Sequence, residues 1–309
     1  MSKPRVRALR AIEISVTDVS NASDFFADVW NLAPVASHNG VTYLRGTGAH
    51  HWITSVQPAH ETGIVRIVFD AADRATLDAL RAQVTAAGAR EVQAITRLDT
   101  PGGGIGFGFK DPEGRNLAVV AEVADHADSA DAKDTTDVED RPRKLSHVNI
   151  HSVDGERCFA FFRDGLGFRL SDQTPVMWFI RCNSDHASIV ISKNAEPTLN
   201  HIAWEMPAWE DVMRGIGRMR DHGYALGWGP GRHGAGDAVF AYFIGYESLP
   251  IEYAAEQLIV DDDNHVPAPM SRWKWPAGRL DHWGLMPRSS DDFLALKDRF
   301  GFSENGHLL

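Results

Sequence analysis

Two histidines and one glutamate in the second half of the chain have side chains that bind divalent metal ions, and each lies in a short, largely apolar segment. His147 is in LSHVNIH, His201 in LNHIAWEM and Glu252 in LPIEYA. Because successive side chains of a strand point to opposite faces, the alternation of apolar and polar residues predicts strands that turn these groups to one side. Two imidazoles and one carboxylate from separate strands suit one face of an octahedral Fe(II), with three positions left for other ligands.

Three further polar side chains stand at defined intervals from this set. His186 lies 15 residues before His201. Tyr242 follows His233 by nine residues and precedes Glu252 by ten. A strand that turns such groups toward an enclosed cavity must satisfy them with a metal, a ligand or one another. Because a single buried His is more often an ordinary hydrogen-bonded core residue, the prediction depends on the whole set.

The elements that must position these residues occur twice in the chain. Residues 7–30 align with residues 143–166 at a constant offset of 136, so that Leu9 matches Leu145 and one Phe-Phe pair matches another. A self-similarity of this length indicates a duplicated domain. In each copy an alternating run predicts a strand, and the amphipathic segment with the Phe-Phe pair predicts a helix.

The segments around these helices indicate the fold class. We expect the first helix to begin at Ser20 or Asn21 and the second at Asp154, with Gly167 after its end. Short segments separated by Gly, Pro, Asn and Asp follow and predict further strands. The order strand, helix, strands, twice in each half, predicts an α+β fold in which paired βαβββ modules form a half-open barrel in each of two domains.

An acidic stretch with almost no apolar residues separates the two halves. It has seven Asp or Glu residues between positions 125 and 140. This composition is typical of a solvated linker. We therefore predict an N-terminal domain at 1–124, a linker at 125–143 and a C-terminal domain with a terminal tail at 144–309.

The duplication provides an internal control for the metal site. Moving the three candidate ligands back by the local offsets of 136, 135 and 134 leads to Ala11, Arg66 and Ala118. None of these side chains is a good Fe(II) ligand. The sequence therefore predicts the metal in the second domain, and a structural and oligomerisation role for the first.

Charge and composition exclude several classes of partner. The chain has 42 Asp and Glu against 31 Lys and Arg, a formal net charge of −11, which disfavours binding to nucleic acid or to an anionic membrane. Its two cysteines, Cys158 and Cys182, argue against a disulfide framework. No apolar signal segment and no run of about 18 apolar residues occurs. We expect a cytoplasmic protein whose partners are small molecules and copies of itself.

The C-terminal half resembles the type I extradiol ring-cleaving dioxygenases of the vicinal oxygen chelate (glyoxalase/bleomycin resistance/dioxygenase) superfamily. The resemblance rests on the Leu-x-His strand around His147, on the 15-residue step from His186 to His201, and on the steps of nine and ten residues that end at Glu252. The family also has a duplicated N-terminal domain without metal. It usually has Pro and Gly in the turn before the ligand Glu, where this chain has GYES at 245–248.

The resemblance implies an enzyme that uses O₂ to cleave the ring of a catechol beside its two hydroxyl groups, giving a muconic semialdehyde-type product. His147, His201 and Glu252 would hold Fe(II), or Mn(II), since the ligand preferences of the two ions overlap at this set. The family also suggests a dimer or tetramer.

The same resemblance implies roles for the other polar residues. His186 would be the acid–base residue, since a pKa near neutrality lets an imidazole accept the catechol proton and return it. Tyr242 and His233 would hydrogen-bond the substrate oxygens and orient the ring. We expect the glycine-rich segment 227–236 to be a flexible loop that carries His233 over the cavity.

Three residues resemble the substrate pocket of homoprotocatechuate 2,3-dioxygenases, where polar and cationic groups hold the ring substituent. They are Asn149, Trp178 and Arg279. That family has two adjacent arginines in its C-terminal segment, whereas Leu280 follows Arg279 here. One Arg can still bind a carboxylate through two hydrogen bonds, but pairing of Arg279 with Asp281 is an equal alternative. The substituent is therefore either polar or an alkyl or aryl group.

Two other functions are consistent with the same fold. A metal-dependent, glyoxalase-like isomerase would use the metal site without O₂, and would not need His186 and Tyr242 at these spacings. A metal-free binding protein of the bleomycin-resistance type would have residues such as Ala11 and Arg66 in both halves. The set of His147 and its two partners counts against that third function.

Overall fold

The computed structural model describes residues 3–125, 140–286 and 288–303. Within these ranges the strands form two mixed eight-stranded sheets, and each sheet takes its strands from one side of the segment 125–143. Most of the predicted acidic linker, 126–139, lies outside the described residues. The α+β architecture expected from the sequence is confirmed, since each sheet contains two βαβββ modules.

In the first sheet, two modules meet side by side at β1 and β5, which pair antiparallel. Within each module the first strand pairs in parallel with the last, β1 with β4 and β5 with β8, so the sheet order is β2-β3-β4-β1-β5-β8-β7-β6. The strands are β1 (Ala8–Val16), β2 (Ala33–His38), β3 (Val41–Arg45), β4 (Thr54–Pro58), β5 (Gly63–Asp70), β6 (Thr96–Arg97), β7 (Ile105–Lys110) and β8 (Asn116–Ala121).

The second sheet repeats this plan, with β9 and β13 at its centre and the order β10-β11-β12-β9-β13-β16-β15-β14. The polar residues His147 of β9, His201 of β13 and Glu252 of β16 share one face of this sheet, hereafter its inner face. The strands are β9 (Lys144–Ser152), β10 (Arg169–Gln173), β11 (Met177–Arg181), β12 (Ile189–Lys193), β13 (Leu199–Glu205), β14 (Leu226–Arg232), β15 (Val239–Ile244) and β16 (Pro250–Ala255).

In the described ranges, all α-helices but the last pack on the outer faces of the sheets, and the last, which contains Phe293, packs against Tyr242 on the inner face. None of them is long and apolar enough to cross a membrane. Asp18, rather than Ser20 or Asn21, caps the first helix, because its carboxylate accepts from the backbone N–H of Asn21 at 3.0 Å. The second predicted cap, Asp154, is confirmed. The helices are α1 (Val19–Asp24, continued by a π-helical turn, Phe25–Val29), α2 (Arg74–Ala86), α3 (Gly155–Leu166), α4 (Trp209–Asp221) and α5 (Asp291–Lys297).

In the central strands of the second sheet, the alternating pattern separates an apolar outer face from an inner face that carries polar groups. On β9, Val148 and Ile150 belong to the core beneath α3, which contributes Phe161 and Phe162. Burial of apolar side chains on this face supplies the main driving force for folding, at about 25 cal/mol per Å². The inner face is therefore left free to hold polar groups at fixed positions.

Two glutamates in equivalent turns join the domains reciprocally. Glu113, in the turn before β8, accepts from the backbone N–H of Val153 at 2.9 Å and from the hydroxyl of Ser152 at 3.0 Å. Glu247, in the turn before β16, accepts from the backbone N–H of Thr17 at 3.0 Å. The turn at 245–248 therefore keeps the interface contact although its sequence differs from the usual form of the family.

The C-terminal tail lies along the edge strand β14. The indole N–H of Trp228 donates to Met286 O at 3.0 Å, and the backbone N–H of Ser290 donates to Gly227 O at 2.7 Å. Most of the predicted flexible loop at 227–236 is thus a strand, because β15 on one side and the tail on the other satisfy its backbone groups. The glycines of this segment therefore do not prevent a strand, because β15 and the tail hydrogen-bond to it from both sides.

Candidate metal centre and active site

The three candidate metal ligands meet on adjacent central strands. His147 is on β9, His201 on β13 and Glu252 on β16, and β13 lies between the other two strands. Ala203 on β13 pairs with His147 on one side and with Glu252 on the other. Strand pairing and the alternation of faces therefore bring the three side chains to one level of the inner face.

These three residues, hereafter the triad, are in close contact. The Nε2 atom of His201 lies 2.9 Å from Oε2 of Glu252, and Nε2 of His147 lies 3.3 Å from the same oxygen. The two Nε2 atoms are 3.1 Å apart. All three side chains are buried, and Glu252 is fully so at 0% exposure. The ligand atoms of the group all fall within 4.8 Å of one another.

Electrostatics keep His201 and Glu252 in the ionisation states that a metal requires. Burial lowers the pKa of His201 to about 4 in spite of the nearby Glu252 carboxylate, so this imidazole is neutral at pH 7. Burial alone would raise the pKa of Glu252, but the imidazoles of His201 and His147 outweigh it and hold that pKa well below its usual 4.5. Neutral nitrogen and ionised oxygen are the forms that bind metal.

The geometry of the triad is better suited to binding a divalent cation than to hydrogen bonding among its three side chains. Both carboxylate oxygens of Glu252 are buried without a hydrogen-bond donor among the described residues, an expensive arrangement for an anion. Neighbouring ligands of an octahedral ion, each about 2.1 Å from it, are about 3.0 Å apart. The separations of the Nε2 and Oε2 atoms are close to this value, and two imidazoles with a carboxylate are a donor set for Fe(II) or Mn(II).

A histidine–tyrosine pair stands directly beside the triad. His233 Nε2 lies 2.9 Å from the hydroxyl oxygen of Tyr242 and 3.5 Å from Oε1 of Glu252. The ring of Tyr242 meets that of His201 edge-on at 4.8 Å. Burial and the charge of Glu252 raise the pKa of Tyr242 well above 10, so it remains a phenol that can donate a hydrogen bond. The structure thus brings His233 and Tyr242 together with the triad, at the intervals noted in the sequence.

His186 has a carboxylate partner of its own. Its Nε2 lies 2.7 Å from Oδ2 of Asp172 on β10, and the side chain is 1% exposed. Its ring neighbours are Phe179 at 5.6 Å and His265 at 6.4 Å, neither of which belongs to the triad. The Nδ1 atom faces Gly236, where a Cβ would lie 2.9 Å away. Proton transfer by His186 would therefore have to use Nδ1.

Of the residues predicted to contact substrate, Asn149 lies on the face of the triad and Trp178 does not. Asn149 pairs across strands with His201 and accepts from the Ser192 hydroxyl at 2.8 Å. The indole N–H of Trp178 donates to Glu156 on α3 at 3.1 Å, and its ring belongs to the outer core. Trp178 is therefore on the wrong face of the sheet to reach a substrate at the triad.

Strand register explains this difference. Val190 pairs with Asn149 on one side and with Phe179 on the other, so Phe179 is the residue of β11 that shares the inner face. A shift of one residue along a strand changes the face. An aromatic side chain is present at the expected place, but it is Phe179 and not its neighbour Trp178.

Arg279 lies in the tail and is not paired with Asp281. Its Nε atom is buried and has no hydrogen-bond partner among the described residues. The carboxylate of Asp281 instead accepts from the backbone N–H groups of Trp283 at 2.7 Å and Gly284 at 2.8 Å. Binding of a substrate carboxylate by Arg279 stays a prediction.

An aromatic wall beside Tyr242 was not expected from the sequence. The ring of Trp228 is stacked on that of Tyr242 at 5.4 Å, and Phe293 of α5 meets it edge-on at 5.5 Å. Phe240 packs on His233 at 4.0 Å. The signal that could have identified Phe293 is its place in a short amphipathic helix that follows a Trp-rich extended segment.

Comparisons with known proteins agree with this geometry. The model of the Glyoxalase/Bleomycin resistance protein/Dioxygenase superfamily matches residues 144–264, the range that includes the triad. The crystal structure of the Mn(II)-bound glyoxalase from Novosphingobium aromaticivorans is 38% identical, covers 91% of both chains and superimposes with a TM-score of 0.82.

Two further comparisons are with ring-cleaving enzymes. Metapyrocatechase 2 from Cupriavidus necator is 35% identical over 140 residues, which are 44% of this chain and 41% of that enzyme, so the similarity covers less than half of its length. The crystal structure of homoprotocatechuate 2,3-dioxygenase from Arthrobacter globiformis is 19% identical and shows the same fold, with a TM-score of 0.81 over 100% of this chain and 96% of that one. The superfamily expected from the sequence is confirmed: the chain belongs to the Glyoxalase/Bleomycin resistance protein/Dioxygenase superfamily.

Proposed function

We propose that this protein is an extradiol dioxygenase, which cleaves the ring of a catecholic substrate with O₂ at a non-haem Fe(II) or Mn(II) centre and incorporates both oxygen atoms into a muconic semialdehyde-type product. The observation that carries the proposal is the buried triad with the His233–Tyr242 pair directly beside it. The likeness to metapyrocatechase 2 supports it.

The triad residues would hold the ion through two imidazole nitrogens and one carboxylate. When bound, the ion supplies the redox chemistry that ground-state O₂, a triplet, needs in order to react with a catechol. One carboxylate ligand leaves a net charge of about +1 on the site, which a catechol monoanion would neutralise. Glu252 therefore favours a substrate that has lost one proton.

His233 and Tyr242 would orient the substrate and manage its protons. The Tyr242 phenol donates a hydrogen bond to a substrate oxygen beside the ion, because its raised pKa keeps it protonated. The side chain of His233 is 24% exposed, so it can exchange a proton between the pocket and water. Asn149 offers a further polar contact on the same face.

His186 is proposed as the acid–base residue, with Asp172 orienting its ring so that Nδ1 transfers the proton. Replacing His186 with Phe should leave metal content unchanged and slow turnover by about 10²–10⁴-fold, the usual contribution of a positioned acid–base group. Steady-state O₂ uptake by the metal-loaded variant measures this. Unchanged turnover would remove the role from His186 and leave His233 as the proton carrier.

The decisive test of the proposed function is O₂ consumption. Protein loaded with Fe(II), and separately with Mn(II), under nitrogen is mixed with air-saturated buffer and a panel of alkyl, aryl and carboxylate-substituted catechols. We expect one O₂ consumed per catechol and a new absorbance from the conjugated semialdehyde. The absence of O₂ uptake with every catechol would overturn the proposal.

A second function is favoured by the Novosphingobium glyoxalase, which matches this chain over nearly its full length. It is a metal-dependent, glyoxalase-like isomerase that uses the triad without O₂. Under nitrogen such an enzyme would consume the hemithioacetal of glutathione and methylglyoxal, whereas a dioxygenase would not. The same metal-loaded protein can be used for both assays.

We also infer that the protein acts as a dimer or tetramer in the cytoplasm. The two cysteines are buried free thiols, which suits a reducing compartment. Sedimentation equilibrium would show the oligomeric state, and a monomer at all concentrations would contradict the first part of this inference.

A further inference from the structure

We propose that a buried chain of hydrogen bonds from His201 to the C-terminal tail holds this metal ligand in place, so that metal retention and docking of the tail stabilise each other. The inference rests on the proposed metal site. It assigns positioning roles to Asn200, His151 and Thr198, none of which touches the metal-binding atoms of the triad.

The chain is continuous from the ligand to the tail. Nδ1 of His201 lies 2.7 Å from Oδ1 of Asn200, whose Nδ2 lies 2.8 Å from Nε2 of His151. Nδ1 of His151 lies 2.7 Å from the hydroxyl of Thr198, which donates to Lys297 O at 3.0 Å. Asn200 and His151 are 8% and 4% exposed, so water competes little for these contacts.

The direction of the donors in this chain is fixed if His201 binds metal through Nε2. The proton of His201 is then on Nδ1 and is donated to the Asn200 oxygen, and the Asn200 amide donates to Nε2 of His151. His151 must therefore carry its own proton on Nδ1, which it donates to Thr198. Along this path His201 donates, and Asn200, His151 and Thr198 each accept once and donate once. A cation at Nε2 of His201 and the hydrogen bonds therefore favour the same tautomers. The amide of Asn194, 2.9 Å from His151 Nδ1, has an alternative acceptor in Asp298 at 3.2 Å.

The far end of the chain is a carbonyl that needs a donor. Lys297 is the last residue of α5, and the last carbonyl groups of a helix have no partner within it. A second contact joins the tail to the same strand, since the backbone N–H of Leu199 donates to Phe300 O at 2.8 Å. Helix α5, whose Lys297 carbonyl accepts the last hydrogen bond of this path, also packs Phe293 against Tyr242. It therefore borders the proposed substrate site.

The other histidine ligand has weaker support that does not reach the tail. Nδ1 of His147 lies 3.2 Å from the Ser146 hydroxyl, which donates to Gln257 at 3.3 Å, and Gln257 donates to Ala187 O at 3.0 Å. The two contacts nearest to His147 are longer than the two nearest to His201. Ser146→Ala is therefore a matched variant that disturbs a ligand without disturbing α5.

The test measures metal retention and tail protection separately from activity. Each protein is loaded with Mn(II), and release is followed by the EPR signal of the free ion, while hydrogen exchange reports on 291–297 with and without Mn(II). Asn200→Leu should release Mn(II) about 10–100-fold faster, the usual effect of losing the group that orients a ligand. Thr198→Val should give a smaller increase, and in both variants Mn(II) should no longer slow exchange in 291–297.

Three controls separate this role from general destabilisation. Ser146→Ala should speed release without changing the Mn(II) effect on 291–297. Asn200→Asp, which keeps an oxygen for His201 Nδ1, should restore slow release. Ser15→Ala alters the first-domain residue that corresponds to His151 by the repeat, and should change neither readout.

Each outcome is informative. If wild-type protein retains Mn(II) and both Asn200→Leu and Thr198→Val retain it equally well, the inference is overturned while the metal site stands. If wild-type protein itself does not bind Mn(II) or Fe(II), the proposed function fails first. Circular dichroism shows whether each variant folds. If Asn200→Leu does not fold, the result with the milder variant Thr198→Val decides whether the inference holds.

Discussion

The first and second domains have the same topology but different inner faces. In the first domain, Ala11 on β1 pairs with Val68 on β5, which pairs with Ala118 on β8. In the second, Ala203 pairs in the same way with His147 and Glu252. Strand register therefore places two alanines of the first domain where two ligands of the triad lie, as the internal repeat predicts.

The third equivalent position shows how the first domain satisfies its polar groups. Arg66, which corresponds to His201, is buried and donates to Glu13 from Nη2 at 2.6 Å and from Nε at 3.1 Å. Tyr43 and Trp52 belong to the apolar cluster on this inner face. The charges of Arg66 and Glu13 cancel within the protein, whereas neither carboxylate oxygen of Glu252 has a hydrogen-bond donor in the part of the chain that the structure describes.

One β-framework can therefore hold either a core whose polar groups are paired with one another or a cation site. Which of the two forms depends on the polar groups of the inner face. A cationic and an anionic side chain pair with each other, whereas side chains that all offer lone pairs can bind a cation. The strand order and the contacts of the turns that join the domains are alike in both halves, so the difference at the metal site comes from the side chains on the inner face.

The largest expected contrast is between His201→Ala and Arg66→Met, which change equivalent positions of the two domains. His201→Ala should abolish retention of Fe(II) or Mn(II) after gel filtration and reduce O₂ uptake to background, because two ligands do not hold the ion. Arg66→Met should retain one ion per chain. Metal analysis of the two purified proteins measures this, and metal loss in both would contradict the assignment to the second domain alone.

The Arg66–Glu13 pair of the first domain should contribute to the free energy of unfolding rather than to metal binding. Arg66→Ala should lower the free energy of unfolding by about 3–5 kcal/mol, because it leaves the Glu13 carboxylate buried without its partner. Replacing the pair together, as Glu13→Leu with Arg66→Met, should recover most of the loss. Urea denaturation of the metal-free proteins gives both values, and a loss below about 1 kcal/mol for Arg66→Ala would show that the pair is solvated.

Acid should destabilise the metal-free protein through the polar interior of the second domain. Burial lowers the pKa of both His201 and His151 to about 4, whereas unfolding restores them to about 6.5. Between these pH values the unfolded chain binds protons that the folded protein does not, so stability falls as pH falls, by up to about 1.4 kcal/mol per pH unit for each imidazole. Denaturation at pH 7 and pH 5 measures the slope.

The variant His151→Gln isolates one part of this pH dependence. Between pH 6.5 and 4 it should reduce the pH dependence of the free energy of unfolding by the contribution of one imidazole, up to about 1.4 kcal/mol per pH unit. An unchanged slope would mean that His151 is protonated in the folded protein or that other groups dominate.

The smallest expected effects are at the turns that join the domains. Glu113→Ala should lower the free energy of unfolding by about 1–2 kcal/mol and Glu247→Ala by about 0.5–1.5 kcal/mol, since each removes hydrogen bonds to the opposite domain. The larger value belongs to Glu113 because it also binds the buried Arg115. If one variant lowered the free energy of unfolding and the other raised it, the two turns would not be equivalent.

Much of the framework of the site could be predicted from the sequence, because apolar and polar residues alternate on either side of each ligand in the central strands. The segment expected to contain Tyr242 is β15 at Val239–Ile244, and the segment with His201 is β13 at Leu199–Glu205. Once the strands are known, pairing in register leaves little choice in where the triad lies. The three ligands therefore follow from side-chain type, alternation and the repeat together.

Features that depend on one residue of register or on contacts distant in sequence could not be predicted. Trp178 and Phe179 are adjacent aromatic residues, and only the pairing of β11 with β12 decides which faces inward. The partner of His186 is Asp172, on a strand whose position the sequence does not specify. The tail places Phe293 on Tyr242 through contacts with β14 that no local pattern indicates.

The most direct test is a crystal structure of the protein grown with Mn(II) under nitrogen, with anomalous data collected to locate the ion. We expect one anomalous peak per chain, bound by Nε2 of His147, Nε2 of His201 and the carboxylate of Glu252, and no peak at Ala11, Arg66 and Ala118. A pocket without a peak at full Mn(II) loading, or three side chains that point apart, would contradict the metal centre and the function proposed from it.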